Sequence, residues 1–229
     1  MIVLHVDIGG CEGCSISIFR ASSMLKDVEI INKCTAEREV DLSRNYEIVF
    51  VTGSVCINDE DVVEKLKLVR KNCKVLIAFG SCASVGGITR FCRGGQEPKP
   101  EHRTFLPLNS VVKVDYAIPG CPPPPQLVRM FLTLYKRNML QQLAVFKALS
   151  TIKKLSGFDL LDDVVLTGLC IGCGACELSC PTGAIKLLGG RPDLIVEKCI
   201  RCGTCYVRCP QGSKLLFRSL KANVNKHKA

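Results

Sequence analysis

Read along its length, the chain first alternates short, almost continuous apolar runs with amphipathic stretches. Ile2–Ile8 is apolar and ends in Gly9-Gly10, and Ser15 to Lys26 follows with helical spacing. Val28–Asn32 reads as a second strand, and Glu47–Val51 as a third, closed by Thr52-Gly53-Ser54. Asp59–Lys71 places acids in its first turn and bases in its last, the polarity a helix dipole favours. Val75–Phe79 ends in Gly80-Ser81, and Val114–Ile118 ends in Pro119-Gly120-Cys121 before a helix from about Gln126 to Arg137. Strands this uniformly apolar, separated by helices, predict a parallel sheet covered on both faces. The expected fold class is α/β, a flavodoxin-like parallel sheet with helices on both faces over residues 1–140. Residues 141–163 read as a helical linker.

The pattern changes from Val164. Two similar units follow, GLCIGCGACELSCPTGAI and EKCIRCGTCYVRCPQGSK, an internal duplication. Residues 164–214 therefore read as a small two-cluster, ferredoxin-like α+β domain, and residues 215–229 as a basic tail. The runs are Cys170-x2-Cys173-x2-Cys176-x3-Cys180-Pro181 and Cys199-x2-Cys202-x2-Cys205-x3-Cys209-Pro210. This is the spacing of two-cluster ferredoxins, in which the fourth cysteine of each run ligates the other cluster. One 4Fe–4S cluster is thus assigned to Cys170, Cys173, Cys176 and Cys209, the other to Cys199, Cys202, Cys205 and Cys180. Zinc also accepts four thiolates, but seldom in three-plus-one runs with a trailing proline.

Sixteen cysteines among 229 residues demand either disulfides or metal. Cysteines with only two residues between them rarely bridge comfortably, so metal is the better reading. The N-terminus reads as a buried strand without a secretory pattern, and no apolar stretch reaches the length of a membrane span. The chain is accordingly expected in a reducing cytoplasm. Its formal charge of +10 invites a nucleic-acid hypothesis. However, a 4Fe–4S cluster with four thiolates carries about −2 when oxidised, and three would offset roughly −6. A surface that balances its clusters and meets acidic partners accounts for the rest.

A second cysteine constellation is dispersed. Cys11-Glu12-Gly13-Cys14 follows the first strand, Cys82 the fourth and Cys121 the fifth. Loops at the carboxyl ends of parallel strands converge on one edge, where ligands bind. Cys11, Cys14, Cys82 and Cys121 are therefore expected to meet where a flavodoxin-like sheet would hold a flavin phosphate, and to hold a further 4Fe–4S cluster. Cys11-x-x-Cys14 alone also fits a redox-active pair.

The motifs CEGCS, GSCASVGGITR, RGGQ…PEH and PGCPPPP resemble the small subunits of nickel–iron hydrogenases. The appended cysteine repeats are similar to the gamma subunits of hydrogenases that reduce coenzyme F420. The resemblance implies that Cys11, Cys14, Cys82 and Cys121 hold the proximal 4Fe–4S cluster, facing a nickel–iron centre on a separate large subunit. It also implies electron transfer, through three 4Fe–4S clusters in all, to an FAD-containing subunit that reduces F420. The expected assembly is a hetero-oligomer without nucleic acid or membrane span, and this chain itself contributes no catalytic residue. Rival readings are a non-F420-reducing or sulfur-reducing hydrogenase, a respiratory-complex subunit, or a free-standing ferredoxin-like carrier. The respiratory relative has adjacent cysteines in its first loop, unlike Cys11-x-x-Cys14.

Cys34, Cys56, Cys73 and Cys92 stand outside these sets. Packing accounts for Cys34 and Cys73, and is a better reading than a place beside the expected cluster for Cys56, which follows the third strand; Cys92, in the polar loop, has no preferred reading. Glu12 reads equally as a group that tunes that cluster and as an ordinary exposed carboxylate. Asp59, Glu60 and Asp61 read as helix-start residues, His5 as a strand histidine, and His102 as a loop or interface residue.

Overall fold

A computed structural model of the chain describes residues 1–32, 40–87, 105–152 and 155–215. Cys34, Cys92, His102 and the RGGQ and PEH motifs lie outside the described residues, as does the basic tail from residue 216.

Five parallel strands form the central sheet: β1 (Ile2–Asp7), β2 (Glu29–Asn32), β3 (Tyr46–Thr52), β5 (Cys73–Phe79) and β7 (Tyr116–Ile118). Their order, β2-β1-β3-β5-β7, is that of a flavodoxin-like sheet. Leu4 pairs with Val49, Val49 with Leu76, and Ile77 with Tyr116, so the apolar runs lie side by side. Six of seven residues in both β3 and β5 are buried, as expected for strands covered on both faces. A two-stranded ribbon, β4 (Val55–Cys56) with β6 (Phe105–Leu106), lies beside the sheet. Two-residue strands leave no periodicity to read.

Helix α1 (Gly13–Ser22) stops short of the expected Lys26. The Ser22 and Ser23 hydroxyls donate to the carbonyls of Phe19 and Arg20, competing with further helical hydrogen bonds. Helix α2 (Glu60–Lys71) begins where Asp59 accepts the Val62 N–H at 3.1 Å, so that aspartate acts as its N-cap. A short α3 (Ser81–Val85) follows β5, and α4 (Pro125–Lys136) follows the prolines. The ring of Phe131 on α4 meets Phe50, Tyr116 and Phe146 edge-on, with centroids 5.1–6.2 Å apart. Such pairs add about 0.5–1.5 kcal/mol each beyond area burial.

The expected helical linker is broken. It contains a 3-10 turn at Leu140–Leu143, α5 (Ala144–Leu149), α6 (Gly157–Leu160) and a π-helical turn at Leu161–Val165. The break after α5 has a tertiary cause: the Asn109 side chain donates to the carbonyls of Ser150 and Ile152 at 2.8 and 3.0 Å. The cysteine-rich segment contributes α7 (Ala175–Ser179), a hairpin of β8 (Ile185–Leu188) and β9 (Arg191–Leu194), and α8 (Thr204–Arg208). Gly189 and Gly190 both have positive φ, as a two-residue hairpin turn requires.

Candidate metal centre

The first loop is braced from below. Asp7 at the end of β1 accepts the Gly9 N–H at 2.8 Å and the Ser15 hydroxyl at 2.7 Å, tying the loop to α1. Gly53, with φ +89, lets the loop after β3 run against Gly9 so closely that a Cβ would overlap its backbone. Glu12 adopts φ 64 between Cys11 and Cys14, which starts α1 sharply. The Ser17 hydroxyl donates to the Pro123 carbonyl, holding the proline loop against α1.

These contacts bring together the four dispersed cysteines. Burial, and then negative charge on Cys82, Cys121 and Cys11, pushes the Cys14 thiol far above its ordinary range. Burial, and then charge on Cys202, Cys82 and Cys11, pushes Cys121 up to about 12. Held as thiolates this near one another, the four sulfurs would need a cation to discharge them. The surrounding backbone leaves room at the sulfurs: a Cβ on Gly80 would overlap Cys14 Sγ, and one on Gly87 would lie 2.8 Å from Cys82 Sγ. The donor set suits an iron–sulfur cluster, whose ligands are thiolates.

The two repeats share one backbone device. Gly174 and Gly203, both with positive φ, start α7 and α8. At the equivalent positions Gly172 and Arg201 also take positive φ. Glycine is required in the first, where a Cβ would lie 2.7 Å from the Gly190 carbonyl oxygen. In the second, Arg201 carries its guanidinium 5.6 Å from the Phe158 ring centre.

Each repeat sends its fourth cysteine across. One cavity is lined by Cys180 with Cys199, Cys202 and Cys205, and another by Cys209 with Cys170, Cys173 and Cys176. Thiols ranged around a cavity, instead of converging on one point, suit a polynuclear cluster. Among the described residues no group of three or more His, Cys, Asp or Glu converges in a way that suits a single ion. The Cys180 thiol accepts the Ala184 N–H at 3.2 Å. Burial opposes its ionisation, yet hydrogen bonds from Thr182, Ile185 and Ala184 hold it below its ordinary value. Amides aimed at sulfur stabilise the negative charge that a ligating thiolate carries.

The sets are arranged in sequence through space. The Ser81 hydroxyl, beside Cys82, donates to the Cys202 carbonyl at 2.7 Å, which places the Cys180–Cys199–Cys202–Cys205 cavity next to the sheet-edge set. Cys173 of the remaining set is exposed, as are its neighbours Ile171 and Leu178. Ser81 escaped the sequence reading; its only signal was its place beside Cys82 in Gly80-Ser81-Cys82. Cys73 begins β5, at the opposite end of that strand from Cys82, and is buried. Cys56 lies on the β4–β6 ribbon. His5 is fully buried, its Nε2 sharing a 2.9 Å hydrogen bond with Thr52 Oγ1, as befits a strand histidine.

Family models match two stretches of the chain. The family described as NADH ubiquinone oxidoreductase, 20 Kd subunit, matches residues 11–135, and the 4Fe-4S dicluster domain matches residues 169–213. The chain is 40% identical to the coenzyme F420 hydrogenase subunit gamma of Methanosarcina barkeri over 203 residues, covering 82% of this chain and 78% of that one. With the subunit of the same name from Methanococcus voltae the identity is 34% over 211 residues, covering 83% and 87%. A chain of an NAD+-reducing [NiFe]-hydrogenase in its H2-reduced state aligns with a TM-score of 0.45 and 25% identity, over 58% of this chain and 88% of that one.

Proposed function

Because the chain belongs to the NADH ubiquinone oxidoreductase 20 Kd subunit family, and with it to the kin of the coenzyme F420 hydrogenase gamma subunits, we propose that it is the electron-transfer subunit of a nickel–iron hydrogenase. The observation that carries this reading is the gathering of twelve cysteines into three sets of four, with the middle set adjoining both the sheet edge and the outer repeat. In this proposal Cys11, Cys14, Cys82 and Cys121 hold the proximal 4Fe–4S cluster. Cys180, Cys199, Cys202 and Cys205 hold the medial one, and Cys170, Cys173, Cys176 and Cys209 the distal one. When bound, the clusters supply one-electron transfer. The protein's part is to fix their spacing, bury them and aim amides at their ligands.

The surface supports two docking faces. Ile16 and Phe19, one helical turn apart on α1 just after Cys14, are 57% and 56% exposed. We assign this apolar face to the large subunit that carries the nickel–iron centre. At the other end Ile171 and Leu178, 64% and 89% exposed, flank the distal set. We assign that end to an FAD-containing subunit that reduces coenzyme F420. Among the described residues no helix is long and apolar enough to cross a membrane, and a cytoplasmic complex fits this reading. A second reading keeps the hydrogenase but changes the acceptor. Purification of the native complex with assay of iron, nickel and flavin separates the possibilities: all three are expected. Absence of nickel would overturn the hydrogenase reading, and nickel without flavin would overturn the F420 acceptor.

A further inference from the structure

One buried hydroxyl joins the sheet-edge cysteines to the ferredoxin-like segment. Ser81 is 2% exposed and opens α3, directly before Cys82. Its N–H donates to the Gly120 carbonyl at 2.8 Å. Its Oγ accepts the Gly120 N–H at 3.1 Å and donates its own hydrogen to the Cys202 carbonyl at 2.7 Å. Gly120 directly precedes Cys121. The single side chain therefore touches backbone adjoining Cys121 and the backbone of Cys202, while its own peptide continues into Cys82. A hydroxyl offers one donor and two acceptor sites, and here it acts in both capacities inside a dry region.

We infer that Ser81 is a positioning residue that sets the separation between the sheet-edge cysteine set and the Cys180–Cys199–Cys202–Cys205 set. The inference rests on the functional reading above, in that both sets hold clusters. Ser81 stays neutral and keeps its hydrogen throughout, so its contribution is geometric. Without it, a buried carbonyl and a buried amide both lose a partner, and each is costly to leave unpaired. Those groups regain partners only if the two loops part or water enters between them. Either change lengthens or loosens the gap across which an electron must pass.

Ser84 provides a matched control. It is equally buried on the same short helix, but its hydroxyl donates to Ala78 within the sheet portion, at 3.1 Å. The full chain, reconstituted with iron and sulfide under anaerobic conditions and fully reduced, is examined by electron paramagnetic resonance. Wild type is expected to show signals split by magnetic interaction between neighbouring reduced clusters. Ser81→Ala is expected to lose the part of that splitting that arises between the sheet-edge set and the Cys180–Cys199–Cys202–Cys205 set, while keeping its iron and the splitting within the ferredoxin-like segment; Ser84→Ala is expected to retain both. Unchanged splitting in Ser81→Ala, or equal loss in both variants, would overturn the inference and leave the functional reading standing. Should Ser81→Ala fail to hold iron, Ser81→Thr, which keeps the hydroxyl, must hold it; loss in both would also overturn the inference. A wild-type chain without iron at Cys11, Cys14, Cys82 and Cys121 would overturn the functional reading, and the inference with it.

Discussion

Gly80 is the position where backbone conformation and sulfur placement meet most tightly. It joins β5 to α3 with φ +91 and ψ 160, a region nearly reserved for glycine. Forcing alanine into it costs about 1–3 kcal/mol from the backbone alone. For a chain of this size each kcal/mol lowers Tm by roughly 2–4 °C. Gly80→Ala should therefore lower Tm by about 2–12 °C on these two scales. The added Cβ also overlaps Cys14 Sγ, so the thiol has to move away from Cys82 and Cys121. Iron content should then fall by the share of one cluster, about four atoms in roughly twelve. The control is Gly189→Ala in the β8–β9 turn, where φ is +57 and nothing lies within 4 Å of the new Cβ. It carries a left-handed strain of about 1–2 kcal/mol without displacing a thiol. Calorimetry with iron analysis of both variants decides the matter. If Gly80→Ala keeps full iron and melts with Gly189→Ala, the sulfur-placement argument is wrong.

Other expectations follow from the same geometry. Cys209→Ser should disturb the cluster held with Cys170, Cys173 and Cys176, and Cys180→Ser the one held with Cys199, Cys202 and Cys205; Mössbauer spectra showing the opposite assignment would refute the crossed arrangement. Phe19→Glu should abolish co-purification with the large subunit while leaving the iron content unchanged, since Phe19 is exposed on α1 and lines neither cavity. Burial, partly offset by Arg70, raises the Cys73 thiol to about 11. It should therefore remain protonated and resist maleimide at pH 8 in the folded chain, losing that protection only on approaching pH 11 or on unfolding; rapid native labelling mapped to Cys73 would contradict this.

The sheet was legible because parallel strands buried on both faces are written as unbroken apolar runs, such as Val75–Phe79. The start of α2 was legible because Asp59 caps it through local contacts. Convergence of Cys11, Cys14, Cys82 and Cys121 followed from their places after strands. Features that depend on distant partners were not readable. Nothing in residues 138–163 announces that Asn109 takes the carbonyls of Ser150 and Ile152 and ends the helix there. The Gly189-Gly190 turn was visible in principle, but the flanking strands span only four residues each. The succession of cysteine sets depends on long-range contacts such as Ser81 to Cys202, which spacing within the repeats does not encode.

The proposed function requires three four-cysteine sets to hold three clusters in this one chain. Mössbauer spectroscopy of the full chain, purified anaerobically and enriched in iron-57, tests it most directly. About twelve iron atoms per chain are expected, all in 4Fe–4S clusters. About eight atoms in two clusters, with Cys11, Cys14, Cys82 and Cys121 open to alkylation, would contradict it.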